Sequence, residues 1–261
     1  MTERPVYLPM TDDAPPADSP FVRTILIAFE WTPGRSSAHQ RKRIAALHAA
    51  AIMELKPQVI PANGRAPRLL EVSTHAGLPL GRQLSAFNLS FTTRKGRTLC
   101  VESAYQGSKV FRHGTSLTES GPYTDLYTSP ALQACQDARL TTSGRLAGFR
   151  FFGQHWPLEM EGGCRQNESD FYDWLYINAL KQNPVLARQV LHYDGFTDIA
   201  FNHKPGHSVS TQVYALALYV ALHARKLLAE ATSSPEAFHK IVRSAPMSNA
   251  RRDETVQGEL F

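Results

Sequence analysis

The segment Val101-Glu102-Ser103-Ala104-Tyr105-Gln106-Gly107-Ser108-Lys109-Val110-Phe111 (VESAYQGSKVF, 101–111) places one acid and one amine seven residues apart. Read as a helix, it puts Glu102, Tyr105, Gln106 and Lys109 at i, i+3, i+4 and i+7 on one face, leaving Val101, Ala104, Ser108 and Phe111 for packing. Two turns of helix would separate Glu102 from Lys109 by about 10 Å along the axis, too far for a direct ion pair. Gly107 costs such a helix about 1 kcal/mol against alanine, which predicts that another group comes close to the backbone there. Spacing alone favours a solvated surface face. The sharper alternative is a cleft wall on which a desolvated lysine attacks a carbonyl or imine and the glutamate moves protons.

Upstream, Leu84 to Phe91 (LSAFNLSF) leads through the turn Arg94-Lys95-Gly96-Arg97 to Thr98-Leu99-Cys100-Val101, so Leu89 to Val101 reads as a β-hairpin that delivers the chain into 101–111. Farther back, Phe21 to Glu30 has strand character, and Pro33-Gly34 breaks the chain. Ser36 or Ser37 then caps a helix from about Ala38 to Met53. Its Arg41, Lys42 and Arg43 read as a solvated basic face in preference to a nucleic-acid contact. Downstream, Asp137 to Phe152 predicts a helix and a short strand, and 153–168 a glycine-rich polar loop. Phe171 to Leu180 and Pro184 to Leu191 read as helices, Asp194 to His207 as a broken loop, and Gln212 to Leu228 as a buried helix.

The chain has 261 residues, 43% apolar and 20% charged, enough for a sizeable core. Residues 1–20 carry acids and five prolines without an apolar centre, and read as an extended leader, not a signal peptide. Residues 21–230 form the expected single domain and 231–261 a C-terminal helix or disordered tail. The longest apolar run, Val213 to Ala224, is short of the ~20 residues a membrane span requires. Cys100, Cys135 and Cys164 show neither zinc nor disulfide spacing, and predict a reducing, cytoplasmic setting. The formal charge of +5 suits a phosphate-bearing partner but is weak by itself. His203 and His207 stand at i, i+4, yet Pro205-Gly206 between them opposes a helical metal pair, and neither a metal nor a cofactor is expected. Dinucleotide-binding, P-loop and serine-hydrolase signatures do not occur.

In order along the chain, LSAFNL (84–89), VESAYQGSKVF (101–111), GPYTDL (121–126), FRFFGQHWPLE (149–159), FYDWLYINAL (171–180) and YDGFTDIAFN (193–202) closely resemble the NADAR family. They are most similar to the branch that serves as antitoxin beside DarT-type DNA ADP-ribosyltransferases. That likeness runs from Arg4 to about Leu228, and the looser one to NADAR proteins at large from Leu84 to Leu222. It implies a NADAR/YbiA-like α+β fold, predominantly α-helical, in a single domain with a small β-hairpin or sheet.

The implied activity is hydrolysis of the N-glycosidic bond between ADP-ribose and the exocyclic amine of guanine in DNA. ADP-ribosylated single-stranded DNA or guanine nucleotides would be substrates, ADP-ribose the product and a DarT-type toxin the partner. The likeness matches Glu102, Gln106 and Lys109 to the family's E-x-x-x-Q-x-x-K element and Ser85, Phe87 and Asn88 to an SNF-like one. In the implied scheme Lys109 is the nucleophile or a charge stabiliser, Glu102 shuttles protons, and Asp198 orients Lys109 or binds a ribose hydroxyl. Tyr105 and Gln106 line the substrate site, Tyr123 and Trp156 offer flat faces for a base, and Ser85 and Asn88 bond phosphate or ribose unless they satisfy hairpin backbone. Trp174 and Tyr176 read as core. Two polar stretches, RHGTSLTES (112–120) and MEGGCRQNES (160–169), depart from the family pattern by insertion.

Overall fold

The computed structural model describes residues 2–11, 19–55, 65–114, 118–161, 164–166, 168–200 and 212–245. The chain opens with strand β1 (Thr2–Pro9) and its antiparallel partner β2 (Val22–Phe29), followed by helix α1 (Ser37–Leu55) and strand β3 (Leu69–Glu71). Ser36 begins α1, its hydroxyl accepting from the His39 N–H at 3.3 Å. Much later β12 (Gly195–Thr197) inserts beside β1 to complete a sheet ordered β2-β1-β12-β3, in which β12 and β3 run parallel. Alternation along β1 sends Val6 and Leu8 into a cluster with Leu47, Ala51 and Leu55 of α1, and Tyr7 into the larger core on the other face. The sheet is thus covered on both sides.

The expected leader is therefore a core strand over residues 2–9, with Val6 fully buried. Two prolines disguised it. Pro5 pairs with Leu26 of β2 but lies outside the contact with the short β12, which meets β1 at Tyr7↔Phe196.

The second half of the fold surrounds the opening motif. Helix α2 (Pro79–Gln83) leads to the hairpin of β4 (Ser90–Thr92) and β5 (Thr98–Cys100), which passes directly into α3 (Val101–Gly107). The chain leaves α3 as strand β6 (Lys109–Arg112), pairs with β7 (Glu119–Ser120), and forms a 3-10 turn (Thr124–Thr128) and two short helices, α4 (Ala131–Cys135) and α5 (Arg139–Thr142). Strands β8 (Arg145–Phe151) and β9 (Gln154–Pro157) complete a second sheet, β7-β6-β8-β9. The first insertion is thus the β6–β7 hairpin. The second carries the hairpin of β10 (Glu159–Glu161) and β11 (Cys164–Gln166), so 153–168 holds strands where a loop is expected.

Helices α6 (Glu168–Lys181), α7 (Pro184–Val190), α8 (Gln212–Ala224), α9 (Leu228–Ala231) and α10 (Pro235–Ser244) close the molecule. Helix α8 is buried from Gln212 through Leu222, which is why its sequence is apolar on every side. Helix α10 lies within the stretch read as a helix or tail and drives Phe238 and Ile241 into the core. The result is a mixed α+β domain with several small sheets. Among the described residues no helix is long and apolar enough to cross a membrane.

Candidate active site

Helix α3 ends where the sequence places its middle. Gly107 is its last residue and Ser108 its C-cap, after which Lys109 starts β6 opposite Phe149 of β8. Glu102 and Lys109 thus do not share a helix face; they flank a helix-to-strand junction. The expected close approach at Gly107 is real: a Cβ there would lie 2.6 Å from the Tyr127 ring and 2.9 Å from the Tyr123 carbonyl oxygen. Gly121, at φ +87°, performs the same service for Lys109, because a side chain on it would meet the Lys109 carbonyl.

Glu102 is buried in the first turn of α3. Its Oε1 accepts from the Gln106 amide at 2.7 Å and from the Cys135 thiol at 2.9 Å, whereas Oε2 has no hydrogen-bond donor among the described residues. One oxygen is anchored and the other is available. Because the carboxylate can only accept, it fixes the Gln106 amide orientation and leaves Gln106 Oε1 buried with no partner among the described residues. The Lys109 ammonium sits 4.8 Å from the centroid of the Tyr105 ring, itself packed edge-on to Tyr172 and tilted on Phe149. Burial, then the Glu102 charge, push the Cys135 thiol well up, while Lys109 acts on it in the opposite sense. Acid and amine thus lie against one short helix, Glu102 bonded to Cys135 and Lys109 over the ring of Tyr105 three residues further along α3.

A second polar cluster borders the first. Asp198 follows β12, and its Oδ2 accepts from the Gln212 amide at 2.8 Å. Gln212 also donates to the Val72 carbonyl and accepts from the Ala86 N–H, both at 2.7 Å, while the Ala86 carbonyl accepts from the Glu102 N–H at 3.0 Å. One side-chain amide and one residue of the 84–89 motif thus link the two acids. Beside them Glu71 is held by Thr197 Oγ1 at 2.6 Å, the Ile199 N–H at 2.9 Å and Ser73 Oγ at 3.1 Å. Burial, with the Asp198 charge adding to it, pushes the Glu71 carboxyl up to about 7. His48 bonds the same Thr197 hydroxyl at 2.8 Å, and burial lowers it to about 4.

These shifts predict a stability profile. Glu71 contributes stability that is fully present below its ordinary value of 4.5 and lost as pH rises through about 7. The interval corresponds to about 3 kcal/mol. His48 acts oppositely, its contribution being present above 6.5 and lost as pH falls through about 4. Because the two offset each other between pH 5 and about 6.5, thermal stability of the wild type should change little there and weaken only as pH rises further through about 7, whereas Glu71→Gln, which mimics the neutral acid, should leave the His48 contribution alone and gain stability from pH 5 to 6.5. Parallel profiles for the two proteins would remove Glu71 from the account.

The remaining expected site residues divide. Ser85 is buried under the motif turn, Phe87 is 38% exposed, and Asn88 spends its amide on the Arg82 carbonyl at 2.8 Å, the backbone-satisfying alternative. Tyr123 packs on Phe111 at 6.2 Å and lies under the Arg139 guanidinium at 4.5 Å. Trp156 requires correction: it is a strand residue of β9, 1% exposed, and packs on Phe171, Trp174 and His239, so it offers no face to a base. The adjoining Gly153 lies in the tight turn between β8 and β9, and Pro157 ends β9. Tyr176 is core as expected, its hydroxyl donating to the Leu84 carbonyl at 2.5 Å, and Trp174 packs against the same core. Asp194 is engaged away from the site, in a bidentate pair with Arg65 at 2.8 and 2.9 Å. Arg43 of the basic helix turn is buried against Trp31 at 4.3 Å, leaving Arg41 and Lys42 as the solvated pair. His203 and His207 lie outside the described residues.

Sequence reading missed Glu71, Cys135 and Gln212. Only Glu71 carried a signal, a charge inside the apolar run LLEV. Taken together, the fold is an α+β domain with a buried acid and an amine flanking a helix-to-strand junction. A family model described as the DarT1-associated NADAR antitoxin matches residues 2–252, and the chain belongs to that family. None of the curated proteins matches it.

Proposed function

We propose that this protein is a hydrolase that removes ADP-ribose from guanine bases of DNA and so reverses the modification made by a DarT-type toxin. The observation that supports this reading is the Glu102 carboxylate, anchored through Oε1 by Gln106 and Cys135, on the same short helix as the Tyr105 ring that carries the Lys109 amine. An aminal carbon bearing both a ring oxygen and a base nitrogen needs a proton for the departing amine and a nucleophile for the carbon, and these two groups supply both.

In the favoured sequence the sugar ring opens to an imine. Lys109 Nζ, as the neutral amine, adds to its carbon, and the Glu102 carboxylate relays the two Nζ protons in turn to the guanine nitrogen, which leaves as the free amine while a neutral Schiff base forms on Lys109. Glu102 then takes a proton from water, which adds to the same carbon, and the Lys109 amine departs as ADP-ribose is released. Gln106 Oε1, a buried acceptor without a partner among the described residues, receives an N–H or O–H of the substrate. Asp198, steadied by Gln212, binds a ribose hydroxyl.

The test is incubation of guanine-ADP-ribosylated single-stranded DNA with the purified protein. Release of free ADP-ribose with restoration of unmodified guanine supports the hydrolase. Tight binding without turnover would replace it with an antitoxin that acts by occupancy. Borohydride added during turnover should trap a covalent adduct on Lys109; turnover with no adduct would assign Lys109 to charge stabilisation and the attack to water.

A further inference from the structure

The sheet β7-β6-β8-β9 carries the catalytic amine at one strand end, and one of its faces is used for nothing described so far. Arg112 of β6 stands directly opposite Arg145 of β8 in register, and Arg150 of β8 opposite His155 of β9. Arg112 and Arg150 reach the same carboxylate, Glu119, which joins the face from β7. The irregularity between Val110 and Phe111 puts Arg145 on this face along with Arg150. All three arginines are exposed, and Glu119 is the carboxylate that two of them share. Like charges placed opposite each other across an antiparallel pair oppose strand pairing, so an ordinary solvated sheet face gains nothing from Arg112 facing Arg145.

An independent observation lies at the end of the same strand pair. Phe151 and Gln154 are partners, so Phe152-Gly153 is a two-residue hairpin turn. Both residues have positive φ, +44° and +86°. Such turns favour asparagine or glycine at the first position, and a phenylalanine there works against the backbone. Phe152 nevertheless occupies it, 53% exposed, its ring supported by Tyr127 at 5.7 Å. Tyr127 in turn meets the Ser108 hydroxyl at 3.3 Å, next to Lys109, and the Arg150 N–H bonds the Ser108 carbonyl at 2.8 Å.

We infer that this face is a track for single-stranded DNA, with Arg112, Arg145 and Arg150 on successive phosphates and Phe152 stacking a base beside the modified guanine. A strand with flexible phosphates and splayed bases matches a basic face ending in an exposed aromatic ring, because stacking on one ring tolerates any base. The inference deepens the proposed function by making the substrate a polynucleotide, and it is testable without catalysis.

Unmodified single-stranded oligonucleotide should bind the full chain with an affinity that falls steeply with salt. Arg145→Ala should weaken that binding about fivefold and reduce the slope of log K against log salt by about 0.7, the value for one phosphate on a single strand. Phe152→Asn, which suits the turn, should weaken binding by about tenfold. Release of ADP-ribose from a modified guanosine mononucleotide should be unchanged in both. Wild-type binding that is absent or independent of salt, or two variants that bind like wild type, would overturn the track. Hydrolysis of the mononucleotide reports separately on the proposed function, and its failure would leave the binding result intact.

Discussion

Lys109→Ala is expected to lower kcat/KM for release of ADP-ribose from guanine by at least about 10³-fold, since it removes the nitrogen that captures the sugar carbon. The fold should tolerate the change. Lys109 is a part-buried strand residue, and its cation–π contact with Tyr105 contributes about 0.5–1 kcal/mol. Glu102→Gln should lose about 10²- to 10⁴-fold, the usual scale for removing a general acid–base. It is the cleaner substitution of the two, because a glutamine keeps an oxygen for the Gln106 amide and the Cys135 thiol while losing the charge and the transferable proton. Single-turnover assays on a modified oligonucleotide, with circular dichroism as a check on folding, measure both. Full activity in either variant would take that residue out of the chemistry.

Trp156→Ala is expected to destabilise the protein by about 3–5 kcal/mol, the range for truncating a fully buried aromatic side chain. For a chain of this size that corresponds to a fall in Tm of roughly 10 °C. The magnitude follows from its surroundings: the indole meets Phe171, Trp174 and His239 with ring centroids 5.0–5.6 Å apart and is 1% exposed. Trp156→Phe should cost far less, because it keeps most of the apolar volume and removes an indole N–H that has no acceptor among the described residues. Denaturant titration distinguishes this account from a substrate-stacking one, in which the alanine variant would be as stable as wild type and only weaker in binding.

How far the sequence could be read depended on how local the determining forces are. The hairpin into 101–107 was legible because Arg94-Lys95-Gly96-Arg97 separates two short apolar runs, with Gly96 at φ +76° where a turn needs it. Helix α8 was legible because a segment buried on all sides must be apolar on all sides. The acid, the amide and the amine were legible as a set because residue order survives any packing. Trp156 was misread because glycine, histidine and proline around it suggest a loop, whereas the pairing of β8 with β9 makes Gly153 part of a tight hairpin turn and His155 and Pro157 strand residues.

What the sequence by itself determined is the inventory: an apolar helix, a hairpin feeding a helix, and Glu102, Gln106 and Lys109 at set intervals. Tertiary structure decided where those groups stand. Pairing of Lys109 with Phe149 ends the helix that an uninterrupted period would have continued, since ladder bonds to β8 replace the helical ones from Lys109 onward. It also recruited Cys135, 33 residues from Glu102, and Gln212, 126 residues from Ala86. No periodicity reports contacts at such separations, because they form only when sheets and helices close one core around them.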